Sequence, residues 1–262
     1  MDIFYSEPWM LIILGGFVVG FLVGMTGVGA GALTTPMLIS SFGFSPTIAV
    51  GTDLMFASIT KGVAAWRHHQ LGNVHWWILG MLASGSLCSS LLTLGWLQFY
   101  APDITVLSVW IRQFLAIALI FSAGAIPLIP LLLRQQNRVQ QKVVEPHRMW
   151  TILFGLLLGV VVTLTSVGAG AIGVAVLSML YPRMGARMLV GTDIAHAVPL
   201  VLLAGLGHLS MGNVNIDLLL FLLVGSVPGI MIGSRLIGFV PDWLLRVLLA
   251  CVLLLAAYLL VH

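Results

Sequence analysis

The chain has 262 residues, 60% of them hydrophobic and only 7% charged, with a mean hydropathy of +1.13. A soluble domain carries about a quarter charged residues, so this composition cannot cover a globule in water, and it excludes the classes of protein that fold free in solution. The formal net charge of +3 is no nucleic-acid signature in such a chain, where Lys and Arg report membrane orientation instead.

In chain order, the opening MDIFYSEPWM lacks the basic start of a signal peptide, and no A-x-A-like cleavage site follows. The first segment is expected to be retained. Apolar stretches run over 9–41, 46–66, 75–99, 106–133, 149–181, 188–207, 216–237 and 243–261. The polar stretch RQQNRVQQKVVEPHR, 134–148, has no apolar period and reads as a linker. The expected organisation is a first repeat over 1–133, a basic linker over 134–148 and a second repeat over 149–262. At about 20 residues per span, the fold class is an all-α polytopic membrane protein.

The two units are related in sequence. TGVGAGAL at 26–33 returns as TSVGAGAI at 165–172, and Gly20–Leu33 matches Gly159–Ile172 at 8 of 14 positions. GTD at 51–53 returns at 191–193, and GNV at 72–74 returns at 212–214. The longest stretches, 9–41 and 149–181, would make helices of about 50 Å, well beyond a hydrocarbon core of about 30 Å. Each is therefore predicted to break at its glycine phrase into a hairpin.

Charge placement tests the hairpins. With the linker cytoplasmic, a single crossing by 149–181 leaves 6 of the 11 Lys and Arg residues inside. A hairpin there puts 10 of the 11 inside, Lys61 and Arg67 among them, with Arg112 alone outside. By repetition 9–41 is a hairpin too, and the N-terminus starts outside. The prediction is two inverted repeats in a cell membrane, each a Gly-broken helix hairpin plus three transmembrane helices. Secondary transporters are often built this way, with the site where broken helices meet.

A break made of small residues leads into a half-helix with free N–H groups and the positive end of its dipole, which suits an anion. The residues expected to bind it are Thr26, Gly29, Gly31, Thr34 and Thr35 in the first unit and Thr165, Gly168 and Gly170 in the second. Thr52 and Thr192, beside the aspartates, complete the set. The alternative is that these glycines serve only close helix packing.

TGVGAGALTTPMLI, FSPTIAVGTDL and HHQLGNV together resemble the TauE/SafE family, the sulfite exporter family, over nearly the whole chain. The resemblance implies a transporter, with export of sulfite, sulfoacetate or another organosulfonate driven by a proton or ion gradient. Two departures stand out. Gly-Thr-Asp occupies 51–53 and 191–193 where the family often has Gly-Thr-Ser, and Ala175 stands where the first unit has Pro36.

Asp53 and Asp193 are the candidates for proton coupling, since ionisable residues in spans are costly and usually functional. A helix N-cap is the other reading of Gly-Thr-Asp. His196, three residues after Asp193, is placed to share a proton with it. Arg112 and Arg246 are candidate counter-charges for an anion, against the ordinary reading that they snorkel to headgroups. Cys88 and Cys251 stand alone in apolar runs, so neither a disulfide nor a metal site is expected, and no cofactor. An enzyme fits least, because neither cysteine has an activating neighbour. The expected partners are a small anionic substrate and the bilayer, with no nucleic acid and a homodimer left open. Two rivals stay open: a cation transporter using Asp53, Asp193 and His196 as ligands, and a non-transporting membrane partner protein.

Overall fold

The computed structural model describes residues 8–26, 31–100, 103–136, 147–236 and 241–261. Among them are ten helices and no strand. They are α1 (Pro8–Thr26), α2 (Gly31–Ser40), α3 (Pro46–Gln70), α4 (Trp76–Tyr100), α5 (Ile104–Gln136), α6 (Arg148–Thr165), α7 (Ala171–Leu180), α8 (Ala186–Ser210), α9 (Ile216–Arg235) and α10 (Asp242–Val261). Seven are long and apolar enough to cross a membrane: α3, α4, α5, α6, α8, α9 and α10. The protein is an all-helical multi-pass membrane protein. Most of the expected linker, residues 137–146, lies outside the described residues.

The second long apolar stretch is interrupted at its glycine phrase, and in the first the described helices stop and resume on either side of residues 27–30, which lie outside the described residues. The piece before each break has 19 residues in α1 and 18 in α6, and the piece after it has 10 in both α2 and α7. At 1.5 Å per residue the later pieces are about 15 Å long, half a hydrocarbon core. Each long stretch thus holds a near-complete span followed by a half-helix.

The second break shows why it needs its composition. Ser166 closes α6 with φ 60°, and Gly168 and Gly170 follow at φ 128° and 137°. Those last two conformations are open to glycine and strained for other residues. Thr165 secures the turn: its hydroxyl donates to the Val161 carbonyl at 2.7 Å and accepts from the Val167 amide at 3.2 Å.

Lipid tails give helices no hydrophobic reason to associate, so membrane helices rely on close packing and interhelical hydrogen bonds. Here α1 lies along α9, α6 along α4, α5 against α10 and α3 across α8. Exchanging each helix for its counterpart in the other unit leaves these pairings unchanged. Backbone meets backbone at glycines: Gly16, Gly20 and Gly24 face Leu222, Ser226 and Ile230, while Gly225, Gly229 and Gly233 face Ile13, Phe17 and Phe21. These facing positions advance together, so α1 and α9 run parallel.

α3 and α8 carry the two Gly-Thr-Asp motifs, and they cross in opposite directions. Gly51 packs against His208 and Asn213, Met55 against Gly205, and Gly191 against His68 and Asn73. That register puts the crossing near Thr60 and Leu200. The apolar core follows the same plan. Val50, Leu54, Leu200 and Ala204 pack at the crossing, with Leu38, Leu119, Leu222 and Leu253 in one flanking cluster and Leu82, Leu158, Leu177 and Leu189 in the other.

Candidate functional site

The Gly-Thr-Asp motifs work residue by residue. Gly51 lets the Asn213 carbonyl come against the α3 backbone, and Gly191 does the same for Asn73 on α8. The next residue holds that turn in place: Thr52 Oγ1 accepts from the Asn215 amide at 3.0 Å, and Thr192 Oγ1 from the His75 amide at 2.9 Å. Each motif therefore clasps the Gly-Asn-Val turn of the other unit. The Thr52 and Thr192 hydroxyls, expected at the substrate, are engaged in these clasps.

The aspartates that follow are not caps. Ser45 and Gly185 sit at the N-cap positions of α3 and α8, which leaves Asp53 and Asp193 two turns inside their helices and fully buried. Each lies against the half-helix of its own unit. Asp53 Oδ2 accepts from Thr35 Oγ1 at 2.7 Å, and the Thr34 and Ser166 hydroxyls lie toward the same carboxyl. Asp193 lies against Gly173, where any side chain would collide with its carboxyl. Gly173 and Val174 stand where α2 has Thr34 and Thr35, so Asp193 receives no hydroxyl. The Gly170 amide lies toward it without closing a hydrogen bond. Both Asp193 oxygens, Asp53 Oδ1 and Ser166 Oγ are buried without a hydrogen-bond partner. Buried polar groups left unpaired are rare, and each calls for an explanation.

The two breaks meet. Gly31 presses against the Ser166 carbonyl with Asp53 Oδ2 beside it, and a methyl group there would have no room. Between the tips is a cavity of ≈ 10 Å³ lined by Gly31, Ala32, Ser122, Ser166, Gly168 and Ala169, among others. That is room for about one water molecule, so the site is closed in this conformation. Gly31, Gly168 and Gly170 all stand at the breaks, whereas Gly29 lies outside the described residues, as does the side chain of Thr26, the last residue of α1.

Lys61 is the residue that sequence reading missed. Charge placement alone puts it with the basic residues at the inner end of its segment. α3, however, runs on to Gln70, which leaves Lys61 at the crossing with α8. Its Nζ donates to the Ala169 carbonyl in the second break at 2.7 Å. Asp53 and Asp193 are both within its electrostatic reach. A lysine in the sixteenth position of a 25-residue helix was the available signal, because charge in mid-span is functional by default. Ser122 of α5 was also missed, and nothing in its local sequence marks it.

Other expectations change with the geometry. His196 does not pair with Asp193; its Nε2 shares a hydrogen bond with Ser86 Oγ of α4 at 2.8 Å, and Asp193 has no hydrogen-bond partner. The ring turns to α4 because Ser86 supplies a fixed hydroxyl there. His208 Nε2 meets the Thr163 carbonyl at 3.0 Å. Arg112 is exposed on α5, Arg246 is half-buried on α10, and neither lines the cavity. Among the described residues, no three His, Cys, Asp or Glu side chains gather as a metal would require.

A family model described as sulfite exporter TauE/SafE matches residues 12–260. The chain is 41% identical over 228 residues to the probable membrane transporter protein YjnA of Bacillus subtilis, covering 86% of this chain and 89% of that protein. It is 27% identical over 243 residues to YdhB of the same organism, covering 90% and 94%. A third relative, the probable membrane transporter protein MJ0441 of Methanocaldococcus jannaschii, is 25% identical over 260 residues, covering 93% and 91%. No solved structure matches the chain significantly.

Proposed function

From the premise that this chain belongs to the sulfite exporter TauE/SafE family, a family of membrane transporters, we propose that it exports a small sulfur-containing anion such as sulfite, sulfoacetate or another organosulfonate. The observation that carries this reading is the meeting of the two glycine breaks beside the buried Asp53 and Asp193. The ends of two half-helices, the hydroxyls of Thr34, Thr35, Ser122 and Ser166, and a lysine converge there. Apart from the two carboxyls these are donors, which suits an oxyanion.

On this reading the protein lies in the cell membrane with its linker cytoplasmic, and its two units are inverted relative to one another. The antiparallel crossing of the equivalent helices α3 and α8 supports inversion, as does the asymmetry of the basic residues. Transport then runs by alternating access, one unit rocking against the other. Asp53 and Asp193 take up and release the coupled proton. A protonated carboxyl can donate a hydrogen bond to the anion, whereas an ionised one repels it. The role is transport and not catalysis. The cation alternative is disfavoured by Lys61, whose charge already stands within reach of both carboxyls.

Flux into proteoliposomes tests the reading. Labelled sulfite should accumulate under an imposed proton gradient, and Asp53→Asn or Asp193→Asn should leave exchange but abolish gradient-driven accumulation. Gradient-driven accumulation undiminished in both variants would sink the coupling role. Flux of cations without sulfite would sink the substrate class.

A further inference from the structure

We propose that Lys61 is the counter-charge for the transported anion, and that its ammonium exchanges the Ala169 carbonyl for an anion oxygen when the two breaks separate. This rests on the anion reading above and goes beyond it by naming the group that recognises the charge. Three observations carry it. The first is position: Lys61 stands where α3 and α8 cross, between Asp53, about 12 Å back along α3, and Asp193 on α8. The second is its present partner. A lysine in a span normally snorkels to the headgroups, yet this one reaches inward to a main-chain carbonyl of the second break. A carbonyl carries only a partial charge, so an anion outcompetes it. The third is the surroundings, since Ala169 lines the cavity between the tips, together with Gly31 and the unpartnered, buried Ser166 hydroxyl.

The cavity is too small for sulfite in this conformation, so the exchange requires the tips to part. The contact between Gly31 and Ser166 is the one that must open. Freed of it, Ser166 Oγ and Lys61 Nζ can reach the same guest.

Charge balance sets a stoichiometry. The ionisable groups acting on one another here are Lys61 and Asp53 on α3, with Asp193 and His196 on α8. Among the described residues, α2, α5 and the second break contribute the hydroxyls of Thr34, Thr35, Ser122 and Ser166 and main-chain groups. One ammonium and two carboxyls are neutral when one carboxyl holds a proton. A bound monoanion restores neutrality only if the second carboxyl takes a proton too. In a medium where an uncompensated charge is expensive, one proton is therefore taken up per monoanion bound.

The test uses the purified full-length protein and methanesulfonate, which stays a monoanion across the working pH range. Wild type should bind it with uptake of close to one proton, read by an indicator dye in weakly buffered detergent solution. Lys61→Met should weaken binding roughly 100-fold, as removal of a buried charge partner does. Lys61→Arg should keep binding within about tenfold of wild type, since the charge remains. Unchanged binding in a folded Lys61→Met would overturn the inference while leaving the anion reading intact. Binding by wild type with no proton taken up would overturn the one-proton stoichiometry, and that result needs no variant to fold. If wild type binds neither methanesulfonate nor sulfite, the anion reading fails, and the role of Lys61 fails with it.

Discussion

The α1–α9 and α6–α4 seams occupy equivalent places in the two units but are built differently. Along α1 and α9, six glycines bring main chain against main chain. Along α6 and α4, Gly155, Gly159 and Gly85 do the same, but Thr163, Ser89 and Thr93 stand where α1 and α9 have Gly24, Gly229 and Gly233. The polar seam is stitched with hydroxyls. Ser90 and Thr163 share a hydrogen bond at 2.8 Å, Thr163 donates to the Gly159 carbonyl at 2.6 Å, and Ser86 meets His196. One seam depends on the absence of side chains, the other on particular ones. The second connects through the Ser86–His196 bond directly to α8, the helix that carries Asp193.

The sharpest way to break this comparison is to write one seam into the other. Gly24→Thr installs on α1 the residue that α6 has at the equivalent place. Its Cβ would stand 2.6 Å from the Ile230 carbonyl oxygen and 2.9 Å from Ile230 Cα. Main chain on the facing side cannot swing away as a side chain can. The expected loss is about 3 kcal/mol, enough to lower the thermal midpoint by several degrees or prevent assembly in detergent. A variant melting with wild type would mean that the glycine seam is not close-packed.

Thr163→Val should cost less, about 1–2 kcal/mol. The shape is kept, but Ser90 loses its partner. Circular dichroism melts of this variant alone and combined with Ser90→Ala would check it. The double variant should recover part of the loss, because no hydroxyl is then left unpaired.

The clasps should behave alike in both units. Thr52→Val and Thr192→Val each remove one acceptor from a main-chain N–H, at about 1 kcal/mol apiece. They lie far apart and share no partner, so the double variant should sum the two within about 0.5 kcal/mol. Strong non-additivity in the melts would mean that the two clasps open as one event.

Much of this was written in the chain. The duplicated glycine phrase, the excess length of 9–41 and 149–181, and the polar stretch between the units were enough to give an all-helical fold with two interrupted helices. What one sequence could not supply was contact between the units. Gly-Thr-Asp and Gly-Asn-Val were both visible as repeated motifs, but that each grips the other's copy depends on α3 and α8 crossing in opposite directions. Thr165 looked like a donor for a substrate because hydroxyls near a glycine break suggest one, and only its bond to the Val161 carbonyl shows that hydrogen engaged, while Thr52 meets the Asn215 amide as an acceptor. Lys61 was hidden for a different reason. The apolar stretch fades after Trp66, so the lysine looked close to an end, whereas the helix continues through Gln70 on polar residues, of which Arg67, His69 and Gln70 are exposed.

The smallest expected effect is at a glycine that neither seam uses. Gly80 on α4 is exposed, and a methyl group there would meet nothing within 4 Å. Glycine inside a helix costs up to about 1 kcal/mol relative to alanine, through backbone entropy in the unfolded chain. Gly80→Ala should therefore leave the melting temperature unchanged or raise it slightly, while Gly85→Ala, five residues along the same helix, should lower it. Gly85 has the Ile152 carbonyl and the Leu156 amide against it, the latter 2.9 Å from an added Cβ. Opposite signs for the same substitution on one helix would separate propensity from packing. A loss at Gly80 as large as that at Gly85 would mean that its open face is covered in the membrane by something other than lipid.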